Sequence, residues 1–391
     1  MNLFQKPFFT NKNYISAIWL VIALVSAIKQ FSSGRLNNYL IFKNVFWHTL
    51  NQQSLYSEYP DLYFDHNHYG PIFSLFIAPF AVLPDAFGAV LWNVFNAFIL
   101  VWAIAKLPLK ENKINLVLWI CVNEFVTANL GFQFNPIMTS IIILSYVFIV
   151  TEKDFWAVFC IVLGTFIKLY GVVGLAFFFF SRHKIKFIGY LILWSIILFV
   201  LPMLISSPTF IVNSYHEWFE RLVVKNSENA SLTSMQDISV MGMFRRLLGN
   251  PNLSNLPFLA GGVILFGLPY LRFKLYKNEK FRTLLLCSVL IFTVIFSSGS
   301  ESPTYIIAFL GVAIWFVIQD KPISVINWVL FIFAIILTSL SPTDLMPKYL
   351  QNTFIEPYAL KALPCILIWL KVVYEMMTID KDVKNQLQYE S

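Results

Sequence analysis

Apolar runs recur along the whole chain, at 14–33, 71–84, 86–106, 114–128, 136–150, 155–180, 187–206, 256–272, 283–298, 304–319, 322–340 and 357–376. Short polar breaks separate them. Runs of this kind predict transmembrane helices, because an open sheet leaves backbone groups unsatisfied in lipid. The predicted fold is all-α: a polytopic bundle of about twelve spans, give or take one, with residues 1–376 as a single transmembrane domain and 377–391 as a short cytoplasmic tail. Three runs, 71–84, 114–128 and 136–150, are shorter than the about 18 residues of a straight crossing. They are expected to be half-spanning, re-entrant or packed inside the bundle.

Three interruptions are long: 34–70, 207–255 and 341–356. In the first, Phe42, Val45, Phe46, Thr49 and Leu50 recur at helical spacing, which predicts an amphipathic helix on the membrane surface. In the second, Ser239 to Leu248 reads as a short helix. Basic residues cluster elsewhere: Arg182, Lys184 and Lys186; Arg272, Lys274, Lys277, Lys280 and Arg282; Lys371, Lys381 and Lys384. The positive-inside rule assigns these clusters and both termini to the cytoplasm, and the three long interruptions to the outside. One conflict follows. Lys106, Lys110 and Lys113 come out on the external side, as they would if one short helix were miscounted.

Composition agrees with the pattern. Of 391 residues, 58% are hydrophobic and 13% charged, against about 25% charged in soluble domains. The net charge of +7 suits cationic loops facing an anionic leaflet. Nucleic acid is not an expected partner, since no basic patch lies on a soluble folded segment. Cys121, Cys160, Cys287 and Cys365 lie in or at the ends of apolar runs without metal-ligand spacing, as small hydrophobes. The apolar run after Lys6 and Lys12 has no small-residue cleavage site and reads as an uncleaved first span.

Candidate chemistry gathers at the polar breaks. Asp65-His66-Asn67-His68 abuts the second apolar run. A carboxylate screened from water beside a membrane helix can serve as a general base. Two histidines at alternate positions are too few to define a metal site. An aromatic interfacial loop accounts for the same residues. Gln133 and Asn135, in the break Gly131 to Pro136, can hydrogen-bond a sugar or simply form a turn. Lys168 stands deep in the 155–180 run, where an ionised group marks a functional site, and an ammonium suits a phosphate. Arg245 and Arg246 can bind a lipid phosphate or ordinary anionic headgroups. Phosphate-cradling GxxxxGK[ST], GxSxG and HExxH patterns do not occur.

In their order along the chain, several stretches resemble glycosyltransferase family 87, polyprenyl-phosphate-sugar-dependent enzymes of the GT-C fold. They are Asn38-Tyr39-Leu40-Ile41-Phe42 with Leu55-Tyr56; Tyr69-Gly70-Pro71-Ile72-Phe73; Ala78-Pro79 through Pro84, with Trp92 and Asn96; Phe132-Gln133-Phe134-Asn135; Ile167-Lys168-Leu169-Tyr170; Ser239 to Leu248; and Ser302-Pro303-Thr304-Tyr305. The resemblance implies an inverting hexosyl- or pentosyltransferase in the bacterial plasma membrane. It would move a sugar from a polyprenyl phosphate to a hydroxyl of a lipid or glycan acceptor at the outer face, with no cofactor. The family usually carries an aspartate where this chain has Asn38, and an amide cannot act as a base. Asp65 is therefore expected to be the catalytic residue. Lys168, Arg245 and Arg246 would meet the phosphate, and Asn38, His66, His68, Gln133 and Asn135 the substrates. A lipid or glycan transporter or flippase, and a surface-glycan ligase or polymerase, are the competing readings. A transporter predicts a chain of ionisable residues through the bundle, for which the sequence offers Lys168 without a convincing acidic partner.

Overall fold

The computed structural model describes residues 11–379. Lys6, Lys381, Lys384 and residues 380–391 of the expected tail lie outside the described residues. All regular structure among the described residues is helical, as the pattern of apolar runs requires. Lys12–Ser32, Asp85–Ala105 and Lys184–Leu204 are each long and apolar enough to cross a membrane on their own. The chain divides into two compact units, Met1–Leu107 with Val126–Val224, and Pro108–Phe125 with Lys225–Ser391.

The first unit holds α1 (Lys12–Ser32), α2 (Asn37–Leu50), α3 (Phe73–Ala81), α4 (Asp85–Ala105), the last turn of α5 (Glu111–Leu130), α6 (Asn135–Val150), α7 (Asp154–Ile167), a 3-10 helix (Leu169–Phe180), α8 (Lys184–Val200) and most of α9 (Pro208–Asn229). α1 packs on α4, α4 on α6, and α6 and α8 on α7. α6 is apolar all round and buried over most of its length, as a central helix must be.

Two apolar runs depart from straight crossings here, the first of them already short for one. α3 has nine residues, a rise of about 14 Å at 1.5 Å per residue, less than half the about 30 Å of hydrocarbon. The 71–84 run therefore does not cross. Its far end is held against α2, where Tyr39 Oη donates to the Phe80 carbonyl (3.0 Å), Trp47 Nε1 to the Ala81 carbonyl (3.3 Å), and Lys43 pairs with Asp85. The second change is at 155–180, which is two antiparallel legs rather than one span. Ser181 Oγ donates to Asp154 Oδ2 (2.7 Å) and Arg182 pairs with Glu152 (2.8 Å), so the chain returns to where α7 began. The legs meet at glycines: a Cβ on Gly171 would stand 2.1 Å from the Thr165 amide nitrogen. The 114–128 run is instead lengthened, becoming the 20-residue α5.

These changes dispose of the conflict over Lys106. Trp92, in the first half of α4, donates to the Phe132 carbonyl just before α6 (3.0 Å), so the packed helices α4 and α6 run in the same direction. Lys106, after α4, then lies at the same end of this unit as Glu152 and Arg182. The 131–134 break lies at the opposite end, with residues 34–70.

The second unit contains the first part of α5, the end of α9, α10 (Val240–Leu248), α11 (Leu256–Gly267), α12 (Glu279–Ile295), α13 (Tyr305–Val317), α14 (Val325–Phe333) with a π-helical extension (Ala334–Leu340), and α15 (Leu363–Thr378). α12 packs on α13 and α15. At one end, Lys280 pairs with Asp320 and Arg272 donates to the carbonyls of Met377 and Ile379. α10 is the short helix expected from Ser239 to Leu248. Ser239 Oγ caps its start by accepting from the Gly242 amide (3.1 Å), and Gly249, at φ +63°, ends it.

Cysteines introduced as Lys106→Cys and Arg182→Cys should react with an impermeant maleimide from one side of oriented membranes, and Glu58→Cys from the other. Labelling of Lys106→Cys from the same side as Glu58→Cys would mean that α3 does cross.

Candidate functional site

The break between α5 and α6 is the floor of the candidate site. The helix stops at Leu130, and Phe132 adopts φ +50°, a conformation costly for a bulky side chain. The carbonyls this releases are taken up by side chains from three helices. Gln30 of α1 donates to Leu130 (2.5 Å), Asn38 of α2 to Gly131 (2.7 Å), Trp92 of α4 to Phe132 (3.0 Å), and Asn93 to Asn129 (3.1 Å). Asn38 thus has a structural duty that a carboxylate could not perform, because an ionised Asp has no proton to give a carbonyl. Beyond the break, Asn135 opens α6 and its amide donates to Gln133 Oε1 (3.3 Å).

The tip of the 154–180 hairpin supplies the cation. α7 ends where Lys168 turns extended (φ −148°, ψ 122°), with Gly171 close against the preceding turn. Lys168 is therefore at an apex and not midway along a span, which removes the depth expected of it. Its Nζ donates to Asn135 Oδ1 (2.9 Å) and lies over the rings of Tyr170 (4.7 Å) and Tyr69 (6.0 Å). Asn135 and two π faces stabilise the ammonium.

The loop bearing Asp65 is fastened to this tip. The Gly70 amide donates to the Ile167 carbonyl (3.0 Å), and a Cβ on Gly70 would stand 2.0 Å from the Phe166 carbonyl oxygen, so only glycine fits. Trp218 of α9 donates to the His68 carbonyl (2.9 Å). Asn37, which sequence reasoning passed over, clamps Phe64 through both its amide groups (2.7 and 2.8 Å). Asn67 is fully buried and bonded to Tyr69 at both amide atoms, an Asx turn rather than a ligand. Between these anchors Asp65 sits at φ +72°, its Oδ1 accepting from the His66 amide (2.8 Å) and 3.7 Å from His68 Nε2.

The surroundings of Asp65 differ from the screened carboxylate expected. Its side chain is 49% exposed and so is open to solvent. His66 turns away, Nδ1 to the Tyr56 carbonyl (2.9 Å) and Nε2 toward Glu58 (3.4 Å). The two histidines therefore do not converge on a metal. Among the described residues no three His, Cys, Asp or Glu side chains are gathered for one.

Arg245 and Arg246, in the second unit, have separate tasks. Arg245 is 2% exposed. Its Nε and Nη2 donate to Asp237, and its Nη1 to the Leu253 carbonyl (2.9 Å) and Asn255 Oδ1 (2.7 Å). A guanidinium so committed pins the loop, which corrects its expected use on a phosphate. Burial raises the Asp237 carboxyl above its usual range, against the Ser239 and Arg245 hydrogen bonds that hold it down. Arg246 bonds the Ser234 and Gln236 carbonyls (2.6 and 2.7 Å) and lines a cavity. The same unit holds a buried ion pair the sequence did not suggest, Glu124 with Lys361 (3.2 Å). The only signal was a glutamate in an apolar run, and its partner lies 237 positions away.

A family model for glycosyltransferase family 87 matches residues 67–298, more than half of the chain. The match includes His68, Gln133, Asn135, Lys168, Arg245 and Arg246, and begins just after Asp65. A search of curated proteins gave no match.

Replacing Arg245 by Ala should destabilise the fold by about 3–5 kcal/mol, because Asp237 is left as an unpaired buried charge. Thermal denaturation in detergent should show a much smaller loss for Arg245→Met combined with Asp237→Leu. A second expectation concerns His48, buried with its ring 4.1 Å from that of Tyr59. Burial pulls its pKa below the ordinary 6.5, so its contribution to stability is present above 6.5 and is lost as pH falls toward the folded value. The thermal midpoint should drop as pH falls below about 6.5, and less steeply in His48→Phe.

Proposed function

The chain belongs to glycosyltransferase family 87, and from that premise we propose that it transfers a sugar from a polyprenyl phosphate to an acceptor hydroxyl at the outer face of the membrane, with inversion. It is an integral membrane glycosyltransferase; the donor, the face and the stereochemistry are our reading. The observation that carries it is the fastening of the Asp65 loop to the Lys168 apex through Gly70. A base and a cation on one junction are what a single displacement from a phosphate leaving group requires.

In that reaction Asp65 takes the proton of the acceptor hydroxyl as its oxygen bonds to the anomeric carbon. The bond from that carbon to the phosphate oxygen breaks, and the phosphate leaves with the electron pair. Lys168 meets the growing negative charge, held by Asn135 and flanked by Tyr69 and Tyr170. His68 orients Asp65, Gln133 and Asn135 contact the sugar, and His66 lies toward the acceptor. Arg246, in the second unit, is read as an anion contact, with Arg245 as its structural support. The basic end of the first unit, with Lys106 and Arg182, faces the cytoplasm under the positive-inside rule, which turns residues 34–70 and the 131–134 break outward. On this orientation both termini are cytoplasmic and about twelve helical segments cross in the bacterial plasma membrane.

The purified chain, reconstituted with labelled polyprenyl-phosphate sugars and membrane-derived acceptors, should form a covalent glycoside. Asp65→Ala should lower its rate by about a hundredfold or more, the scale of a lost general base. Undiminished transfer by that variant removes Asp65 from the mechanism. Substrate flux into sealed vesicles with no glycoside formed overturns the transferase reading in favour of a transporter.

A further inference from the structure

A cleft of about 570 Å³ opens in the first unit at the base of the 154–180 hairpin, the end opposite to the Lys168 apex. α7 and α8 both begin there, α7 at Asp154 and α8 at Lys184, and the two helices pack on each other. Their approach is fixed locally. Trp194 Nε1 donates to the Phe155 carbonyl (3.1 Å), and Lys184 Nζ to the Ser181 carbonyl (3.1 Å). Glu152 lines the cleft but is held by Arg182 (2.8 Å). The rest of the charged wall is Lys153, Lys186 and the Asp154 carboxylate, with His183 beside them.

Asp154 is 5% exposed. Its Oδ2 accepts from Ser181 Oγ (2.7 Å), while Oδ1 is buried with no hydrogen-bond partner among the described residues. Buried carboxylate oxygens are met by donors, so this one points to a donor from outside the chain. Half-exposed Trp156 and Tyr190 add aromatic faces to the same wall. A carboxylate beside aromatic rings suits an ammonium. Two lysines beside the starts of two helices suit a phosphate. The wall thus matches one ligand carrying both charges, and the volume lies within the about 300–1,000 Å³ of ligand pockets. The flank of the cleft favours a lipid over a soluble ligand. Ile185, 88% exposed, begins a stripe with the exposed Ile188, Ile192 and Ile196 on one face of α8. That helix is apolar enough to cross a membrane, so acyl chains can lie along the stripe while a headgroup enters the cleft.

We propose that this cleft binds the headgroup of an ethanolamine phospholipid, with its ammonium at Asp154 and its phosphate at Lys153 and Lys186. The site needs neither Asp65 nor Lys168 and stands apart from the transferase reading.

The test uses the full chain in neutral detergent, with its thermal midpoint followed against three probes. They are short-chain phosphatidylethanolamine, phosphatidylglycerol with the same chains, and free phosphoethanolamine. Phosphatidylethanolamine should raise the midpoint saturably, and phosphatidylglycerol should bind more weakly. Lys153→Gln and Lys186→Gln, both at exposed positions, should each weaken phosphatidylethanolamine binding by about tenfold, the scale of a lost charge-assisted contact. Asp154→Asn, whose amide oxygen can still accept from Ser181, should erase the preference over phosphatidylglycerol. Trp156→Ala, at an exposed position, should narrow the same preference and reads the ammonium end without touching the hairpin closure. Lys106→Gln, at the same end of the unit but off the cleft wall, should bind as wild type does. Phosphatidylglycerol binding as tightly as phosphatidylethanolamine overturns the proposal, and an equal response to free phosphoethanolamine overturns the lipid as its source. Unchanged binding in both cleft lysine variants, or equal weakening by Lys106→Gln, overturns the site.

Discussion

A backbone that breaks among apolar helices must find a partner for every carbonyl it releases. In the first unit that constraint decides almost everything else. The helix between Glu111 and Leu130 can stop where it does because Gln30, Asn38, Trp92 and Asn93 are in place to donate to the carbonyls of residues 129–132. Those donors fix α1, α2 and α4 around the break. The break fixes Asn135, and Asn135 fixes Lys168. Removal of one donor leaves a buried carbonyl unsatisfied, so the polar residues of these helices are tied to one another more than to their own neighbours in the chain.

The hairpin works by the same rule with glycine in place of side-chain donors. Gly171 lets the returning leg approach the backbone at Gly164 and Thr165, and Gly70 lets the external loop reach the carbonyls of Phe166 and Ile167. Neither contact survives a Cβ. The result is an ammonium and a half-exposed carboxylate on one rigid junction, with Asp65 and Phe132 both held at positive φ. Local strain of this kind persists only when the surroundings over-determine it. Here the anchors are Asn37, Asn67, Trp218 and the capped carbonyls. The second unit uses charge where the first uses amides: Arg245 with Asp237, eight positions apart, and Lys361 with Glu124, 237 positions apart, each pair buried.

Composition and the recurrence of apolar runs were enough to read an all-helical membrane protein, because hydrophobic burial in lipid depends on residue type averaged over a window and not on who touches whom. The family was legible through the order of short stretches around Tyr69, Phe132 and Lys168. Span-level detail was not. The shortness of 71–84 was visible, but 155–180 looks like one crossing by hydropathy, and an extended Lys168 between Gly164 and Gly171 folds it in two. Hydropathy is blind to that fold, since a turn made of glycines and one lysine barely lowers an apolar average.

The sequence by itself determined the solvent of this protein, its helical class and which polar residues were candidates. Only the tertiary structure decided what those residues do. It showed Asn38 donating to Gly131 where a base was looked for, Arg245 consumed by Asp237, and Lys361 brought to Glu124. The reason is physical: the role of a polar side chain in an apolar bundle is set by the partner that satisfies it, and that partner is fixed by the fold, in the case of Lys361 from far away in the chain.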